Sequence, residues 1–189
     1  KLQEVGYSIS EATSLYGQLS GMVQQLISLP TIITIALISN LVPAISESLA
    51  QNNKVAIRQR IQESIRLTFY LSFLVVVVLF LLPNEICDLF FKHPQAGKPL
   101  KILALPAIFL YLSQIFSGII HGLGKPNLVV RNSIIALVIE LAIIYSIVNF
   151  PSVAFELVIF AIGLRYIIAA LLNFISINKQ IKLELPIIH

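Results

Sequence analysis

Residues 15–48, LYGQLSGMVQQLISLPTIITIALISNLVPAISES, form an apolar run long enough to cross a bilayer. Small and polar residues recur along it. At about 100° per residue of an α-helix, seven of them fall within one narrow sector: Gly17, Gly21, Gln24, Ser28, Thr31, Ser39 and Ser46. Such a stripe favours helix–helix packing, because small and hydroxyl residues let two backbones approach. The alternative interpretation is the wall of a polar cavity within the membrane, and the residues alone leave it open.

The composition indicates an integral membrane protein. The 189 residues are 57% hydrophobic and only 12% charged, with a mean hydropathy of +0.90, whereas soluble domains average about 25% charged residues. The basic residues are scattered between apolar spans, which is a weak nucleic-acid footprint. The single cysteine, Cys87, excludes an intrachain disulfide, and the three histidines lack metal-ligand spacing. We therefore expect no nucleic-acid partner, no metal centre and no cofactor.

The apolar pattern predicts five transmembrane helices and one interfacial amphipathic helix. The predicted spans cover about residues 14–45, 67–82, 102–120, 128–149 and 153–175. Between the first two spans, a surface linker at residues 47–66 combines isoleucines at four-residue spacing with four basic residues, Lys54, Arg58, Arg60 and Arg66. This pattern is typical of a helix that lies on the membrane with its basic face toward the headgroups.

Local signals place bends and contacts along these helices. Ser8 and Glu11 form a capping box, so the first helix is expected to begin near residue 9 or 10. Pro30 removes a backbone hydrogen bond in mid-span and predicts a kink or a hinge, and Pro43 is a second such point. Gly118 and Gly122, at the end of the third span, form a small-xxx-small packing motif.

The basic residues are divided unequally between the two sides that five alternating spans define. One side receives eight and the other receives four. The larger set predicts the cytoplasmic side, so the first helix would enter from outside and end inside. The chain lacks an initiator methionine and a signal sequence, and it stops soon after a hydrophobic span. We expect it to be a piece of a longer polytopic protein.

Two ionisable residues lie well inside predicted spans, Glu140 in the fourth and Arg165 in the fifth. Each costs about 2.5–3.5 kcal/mol at a helix centre on insertion scales, so exposure of either to lipid alone is unfavourable. Glu140 lies 11 residues before Pro151 and Arg165 lies 14 after it, so their depths differ by about 5 Å. We predict an intramembrane ion pair. It could be structural, or it could serve ion coupling or substrate contact.

No catalytic constellation emerges from the sequence. The segment GLGKPN at residues 122–127 lacks the spacing and the preceding strand of a phosphate-binding loop. There is no G-x-S-x-G motif, and no spacing presents two carboxylates to a common cavity. We therefore do not expect an enzyme.

The segment at residues 6–50, GYSISEATSLYGQLSGMVQQLISLPTIITIALISNLVPAISESLA, resembles the stage V sporulation protein B-like transporters. A "YG…G…LP…I..AL…LVP.ISE" pattern is typical of them, and SGIIHGLGKPN at residues 117–127 is similar to their "G…GLGKP" turn. The order of elements also agrees over nearly the whole chain. These transporters belong to the MATE-related superfamily of drug exporters and lipid-linked oligosaccharide flippases.

The resemblance implies an all-α membrane fold of two six-helix lobes around a central cavity, with two extra helices. The five spans here would be helices eight to twelve, part of the second lobe of this MATE-like bundle. The opening helix would then line the cavity with Gln24, Gln25, Ser28 and Thr31, and Pro30 would be its hinge. The Lipid II flippase relatives carry an arginine at the position of Gln25, and the uncharged amide weakens any inference of pyrophosphate recognition.

The resemblance further implies a multi-pass transporter of the bacterial cytoplasmic membrane that works by alternating access. Its partners would be membrane lipids, a polyprenyl-linked cell-envelope saccharide precursor as substrate, and a coupling ion, H⁺ or Na⁺. Two alternatives remain. One is a cation-coupled multidrug exporter of the same superfamily, and the other is a non-transporting membrane scaffold for envelope synthesis.

Overall fold

The computed structural model describes residues 9–147 and 154–184, and this part of the chain is helical without a β-strand. The α-helices are α1 (Ile9–Gly17), α2 (Gln24–Ser28), α3 (Thr31–Ala50), α4 (Lys54–Leu81), α5 (Pro83–Phe91), α6 (Gly97–Gly122), α7 (Pro126–Ile147) and α8 (Ala154–Glu184). Helices α3, α4, α6, α7 and α8 are long and apolar enough to cross a membrane. The predicted all-α membrane fold is confirmed, with five candidate spans in the described residues. The first of them, Thr31–Ala50, begins after Pro30, whereas the first predicted span begins at about residue 14.

The opening stretch, residues 9–50, is helical with two irregularities. A π-helix, Gln18–Val23, joins α1 to α2, and a turn at Leu29 and Pro30 separates α2 from α3. Pro43, in contrast, lies inside the continuous helix α3. Helix α1 begins at Ile9, while Ser8 of the expected capping box lies outside the described residues. The turn between α7 and α8, with Pro151, lies outside them as well.

Helix α6 is the central element, because α3, α4, α7 and α8 all pack against it. Glycines allow the closest approach, as the packing motif predicts. A Cβ on Gly118 would lie 2.8 Å from Cγ1 of Ile38, and a Cβ on Gly122 would lie 2.9 Å from Cβ of Ile45. On the opposite side of α6, a Cβ on Gly163 of α8 would lie 2.8 Å from Cγ of Pro106. Small residues thus bring three helix backbones together where lipid offers no hydrophobic driving force.

The basic linker differs from a separate surface helix. Its first residues complete α3, a turn at residues 51–53 follows, and residues 54–66 are the beginning of α4, which continues without a break to Leu81. The side chain of Asn53 caps this helix by accepting a hydrogen bond from the amide of Ala56 at 3.0 Å. Residues 54–81 contain no glycine or proline, so nothing in the sequence ends the helix near Arg66. At 28 residues, α4 is about 42 Å long and extends beyond a hydrocarbon core of about 30 Å.

Two apolar clusters hold the helices together. One joins the π-helix and α2 to α5 and to the beginnings of α6 and α8, around Leu100, Leu103 and Tyr111. The other joins α3, the beginning of α4 and the end of α6, around Ile45, Ile57 and Ile119. The outward faces of α4 and α7 are also apolar, as expected of surfaces that meet lipid.

Candidate functional site

The polar stripe of the opening helix lies mostly on the outside of the helix bundle. Gly17, Gly21 and Ser28 are exposed, and so is Gln25, which lies beside the stripe. A Cβ on either glycine would meet nothing within 4 Å. Gln24 and Thr31 are partly exposed. The opposite face is the packed one, with four residues at most 6% exposed: Leu19, Val23, Leu26 and Ile27. Ser46 differs from the rest of the stripe, because its hydroxyl donates to the carbonyl of Gly122 at 3.1 Å.

The polar groups of this stripe differ in how they are satisfied. The hydroxyl of Thr31 donates to the carbonyl of Ser28 at 2.6 Å, and that of Ser39 donates to the carbonyl of Ala36 at 2.9 Å. Hydroxyl groups bonded in this way are compatible with an apolar surrounding. The amides of Gln24 and Gln25, in contrast, have no hydrogen-bond partner within residues 9–147 and 154–184. Unbonded amides are costly in lipid, so these two side chains require water or a polar ligand.

The two glutamines stand between the two irregularities of the opening stretch. The π-helix ends at Val23, directly before Gln24, and π-helical turns inside α-helices are frequent at functional sites. The break at Pro30 follows five residues after Gln25. In the sequence, only the glycines at positions 17 and 21 draw attention to this region. No established sequence signature predicts a π-helix.

The break at Pro30 is anchored to the central helix. Proline has no amide hydrogen, so the backbone ladder is interrupted there. The hydroxyl of Tyr111, on α6, donates to the carbonyl of Ile27 at 2.8 Å, and Tyr111 is 1% exposed. On the far side of the break, the amide of Ile33 bonds to the carbonyl of Pro30 at 3.1 Å. A change of helix direction at Pro30 would therefore require the bond from Tyr111 to adjust.

Glu140 and Arg165 lie in contact between α7 and α8. Nε of Arg165 is 3.2 Å from Oε2 of Glu140. The Glu140 side chain is 9% exposed and the Arg165 side chain 35%, so the carboxylate faces the bundle and the guanidinium reaches toward its edge. The guanidinium also lies 5.5 Å from the ring centroid of Tyr166, within the range of a cation–π interaction. Gln24 and Gln25 are on α2, and no hydrogen bond within the described residues joins them to this ion pair.

A second polar cluster, which the sequence analysis missed, connects α6, α7 and α8. The amide of Asn132 donates to Oδ1 of Asn173 at 3.0 Å and to the hydroxyl of Ser176 at 2.9 Å. Asn173 in turn donates to the hydroxyls of Ser113 at 3.2 Å and Ser117 at 3.1 Å. Asn132 and Asn173 are at most 2% exposed. The side-chain amides of Asn132 and Asn173 are both hydrogen-bonded, as buried polar groups in a membrane require.

The described residues contain no group of three or more His, Cys, Asp or Glu that could hold a metal ion. Cys87, in α5, is fully buried in an apolar cluster. Burial raises the pKa of its thiol above the ordinary value, so the thiol stays protonated at neutral pH. A neutral, buried thiol is a packing group, and it offers no argument for a nucleophile.

Residues 19–146 of the chain match the family model MatE. The chain is 25% identical over 182 residues to Stage V sporulation protein B of Bacillus subtilis (strain 168), covering 96% of this chain and 35% of that protein. It is 26% identical over 163 residues to the Lipid II flippase MurJ of the same organism, covering 84% of this chain and 30% of MurJ. Sporulation protein YkvU, also from this organism, is 22% identical over 97% of this chain and 41% of its own length. The chain thus spans 30% to 41% of these relatives.

A solved structure shares the fold. It is described as the inward-facing conformation of a multidrug resistance MATE family transporter of the MOP superfamily. The TM-score is 0.74 at 15% identity, over 86% of this chain and 39% of that one. With its five spans and these relatives, the chain is a multi-pass protein of the bacterial cytoplasmic membrane. The resemblance seen in the sequence is confirmed, and the chain belongs to the MatE family.

Proposed function

We propose that this chain forms part of one lobe of a flippase that moves polyprenyl-linked cell-envelope saccharide precursors across the cytoplasmic membrane by alternating access. The observation that carries the proposal is the unbonded amide pair of Gln24 and Gln25 on the outer side of α2, the helix that leads into the candidate span α3. Support comes from the relative MurJ, which is named a Lipid II flippase. The chain covers 30% to 41% of these relatives, which supports a part of one lobe and not a complete transporter.

The physical argument begins with the cost of the two amides. An amide moved from water to an apolar medium without a partner costs roughly 2–7 kcal/mol, depending on the reference. A helix that only contacted lipid would not carry two such groups in adjacent positions beside hydroxyls that are bonded internally. A wet cavity removes the cost, and the same amides can then donate to and accept from the saccharide or diphosphate oxygens of a substrate.

The break at Pro30 supplies the second part of the mechanism. Alternating access is achieved when one bundle rocks or a helix bends about a fixed binding site. Pro30 lies within two turns of both glutamines, so bending at this point changes the direction of the helix next to the polar groups. Ser28 and Thr31, on either side of the break, add hydroxyls to the same face.

The proposal is tested by replacing both amides in the full-length protein, as Gln24→Leu together with Gln25→Leu. Reconstituted into vesicles, the variant is expected to lose at least tenfold in the initial rate of translocation of a fluorescent polyprenyl diphosphate saccharide. The matched control is Gln51→Leu with Gln59→Leu, which replaces the same side chains at exposed positions outside the stripe, where each amide bonds only to a glutamate four residues away. The control should translocate at the rate of the unmodified protein.

The outcomes separate the flippase from the scaffold. A non-transporting scaffold would show no translocation before or after the change, and it would tolerate both substitutions. Equal translocation by the double variant, the control and the unmodified protein would exclude the two glutamines from the cavity. Chromatographic homogeneity of each variant in detergent ensures that a lost rate is not a lost fold.

The pair of Glu140 and Arg165 favours a second candidate, a cation-coupled multidrug exporter, because an intramembrane carboxylate can bind a proton or Na⁺. On that hypothesis Glu140→Gln abolishes drug efflux driven by a proton or Na⁺ gradient, while the protein remains folded. If the pair is structural, Glu140→Gln leaves transport intact and lowers the thermal midpoint, because Arg165 keeps its charge without a partner. Comparing gradient-driven transport with thermal stability for this one variant decides between the two roles. We expect the second result.

A further inference from the structure

We propose that the cleft between α4 and α6 binds an anionic phospholipid of the bilayer, with Arg66 holding the phosphate of the headgroup. The cleft has a volume of about 400 Å³, within the range of about 300–1,000 Å³ typical of small-ligand sites. Two polar side chains and five mainly apolar ones line it: Gln62, Ile65, Arg66, Phe69, Tyr70, Leu112 and Phe116. The proposal does not depend on the flippase function.

The two kinds of lining residue are separated along the helix axis. Arg66 is the last charged residue of α4, and the 15 residues from Leu67 to Leu81 are uncharged. They span about 22 Å, most of a hydrocarbon core. Arg66 and Gln62 therefore stand at the polar end of the cleft, and Phe69 and Tyr70 extend it toward the apolar region. The cleft has the polarity of a phospholipid, with a charged head and a hydrocarbon body.

The charge of Arg66 is available for a ligand. Within residues 9–147 and 154–184 it has no carboxylate partner and no hydrogen bond, and its Cζ lies 5.6 Å from the ring centroid of Tyr70. Residues 54–66 carry four basic side chains against one acidic, Glu63. An arginine braced on an aromatic ring keeps its hydrogen-bond donors directed outward, and the guanidinium matches phosphate oxygens in a two-point contact.

The wall on the side of α6 suits an acyl chain. Phe116 is 6% exposed and packs against Phe174 with the ring centroids 5.7 Å apart, so the floor of the cleft is fixed. On α4, the rings of Phe69 and Phe73 stack at 6.4 Å and continue the apolar surface away from Arg66. Charge complementarity thus selects the headgroup, and the aromatic surface accommodates the chain.

The test counts bound lipids by native mass spectrometry of the full-length protein, released from nanodiscs of equal phosphatidylglycerol and phosphatidylcholine. We expect preferential retention of phosphatidylglycerol, and a loss of that preference by about fivefold with Arg66→Gln. Arg66→Lys should keep most of the preference, because the charge remains. Arg60→Gln is the matched control, since position 60 lies about 120° around the helix from position 66. It removes the same charge away from the cleft and should change nothing.

Three results would overturn the proposal. The unmodified protein could retain both lipids equally, which would mean that the cleft does not select a charged headgroup. Arg60→Gln could reduce retention as much as Arg66→Gln, which would show a diffuse attraction of the whole basic segment. Polyprenyl diphosphate could displace phosphatidylglycerol stoichiometrically, which would assign the cleft to a transported lipid.

A further variant, Leu112→Trp, fills the cleft and leaves the charge of Arg66 in place. It should lower the retention of both lipids, which would show that they bind in the cleft.

Discussion

Tyr111 replaces, at the Pro30 break, a donor that an uninterrupted helix would supply from its own backbone. The hydroxyl reaches the carbonyl of Ile27 at 2.8 Å, in a region where both residues are at most 1% exposed. Water does not compete for this buried hydrogen bond, so the bond contributes to the stability of the fold. The bond also ties the opening helix, next to the break at Pro30, to α6, against which α3, α4, α7 and α8 pack.

Removing this hydroxyl should be costly. We expect Tyr111→Phe to lower the free energy of unfolding by about 1–3 kcal/mol, because the carbonyl of Ile27 is left buried without its donor. Tyr145→Phe, at a side chain 78% exposed on α7, removes the same atom at little cost. The thermal midpoints of both variants in detergent check the prediction, and equal midpoints would contradict it.

Residue-scale chemistry could be predicted only where the residue type is rare in its setting. Glu140 and Arg165 stand out because charges inside spans are few, and a depth comparison then suffices to suggest that they meet. The network around Asn132 and Asn173 offered no such signal. Asparagine and serine occur throughout membrane helices, and whether two of them face each other depends on helix rotations that spacing along one chain does not define.

At the scale of the helix, the glycines divide into two kinds. At Gly122, where α6 crosses α3, an added Cβ would lie 2.9 Å from Cβ of Ile45 and 3.2 Å from the carbonyl oxygen of Val42. At Gly17 an added Cβ would meet nothing within 4 Å. One glycine is required by a neighbouring backbone and the other is not, although both were conspicuous in the sequence.

Alanine substitutions should separate the two kinds. We expect Gly122→Ala to destabilise the protein by about 1–3 kcal/mol, because the helices must move apart. Gly17→Ala should leave stability unchanged or raise it by up to about 1 kcal/mol, since alanine favours the helix. Denaturation of the two variants in the same detergent provides the comparison. A larger loss of stability in Gly17→Ala than in Gly122→Ala would contradict the prediction.

Proline marks a helix boundary at one position of the opening stretch and not at the other. Pro30 separates α2 from α3 as expected, whereas Pro43 remains inside α3, because one lost backbone bond does not end a helix whose neighbours hold it. The change of composition at Arg66 looked like a boundary between a linker and a span. Amphipathicity reflects the medium around a helix and does not mark where the helix ends. Helix α4 therefore continues from the basic segment into the apolar segment without a break.

For the whole molecule, hydropathy sufficed for the class and the number of spans, because a bilayer admits few alternatives. The side of the opening helix that faces the bundle was not predictable in this way. Its small and polar stripe is typical of both packing and a cavity wall, and the residues favoured packing until the family resemblance was considered. In the structure the packed face is the apolar one, around Val23 and Ile27.

The continuity of α4 from Lys54 to Leu81 makes it a lever between the bilayer surface and the bundle. It packs against α6 both near its beginning, at Ile57, and near its end, at Leu79, and residues 54–66 carry its basic side chains. A rigid rod of about 42 Å that tilts by about 10° moves its end by roughly 7 Å. In the proposed alternating-access cycle, rocking of the helices would move the basic end of α4 through the headgroup layer, and the surface charge and thickness of the bilayer would then contribute to the work of each cycle.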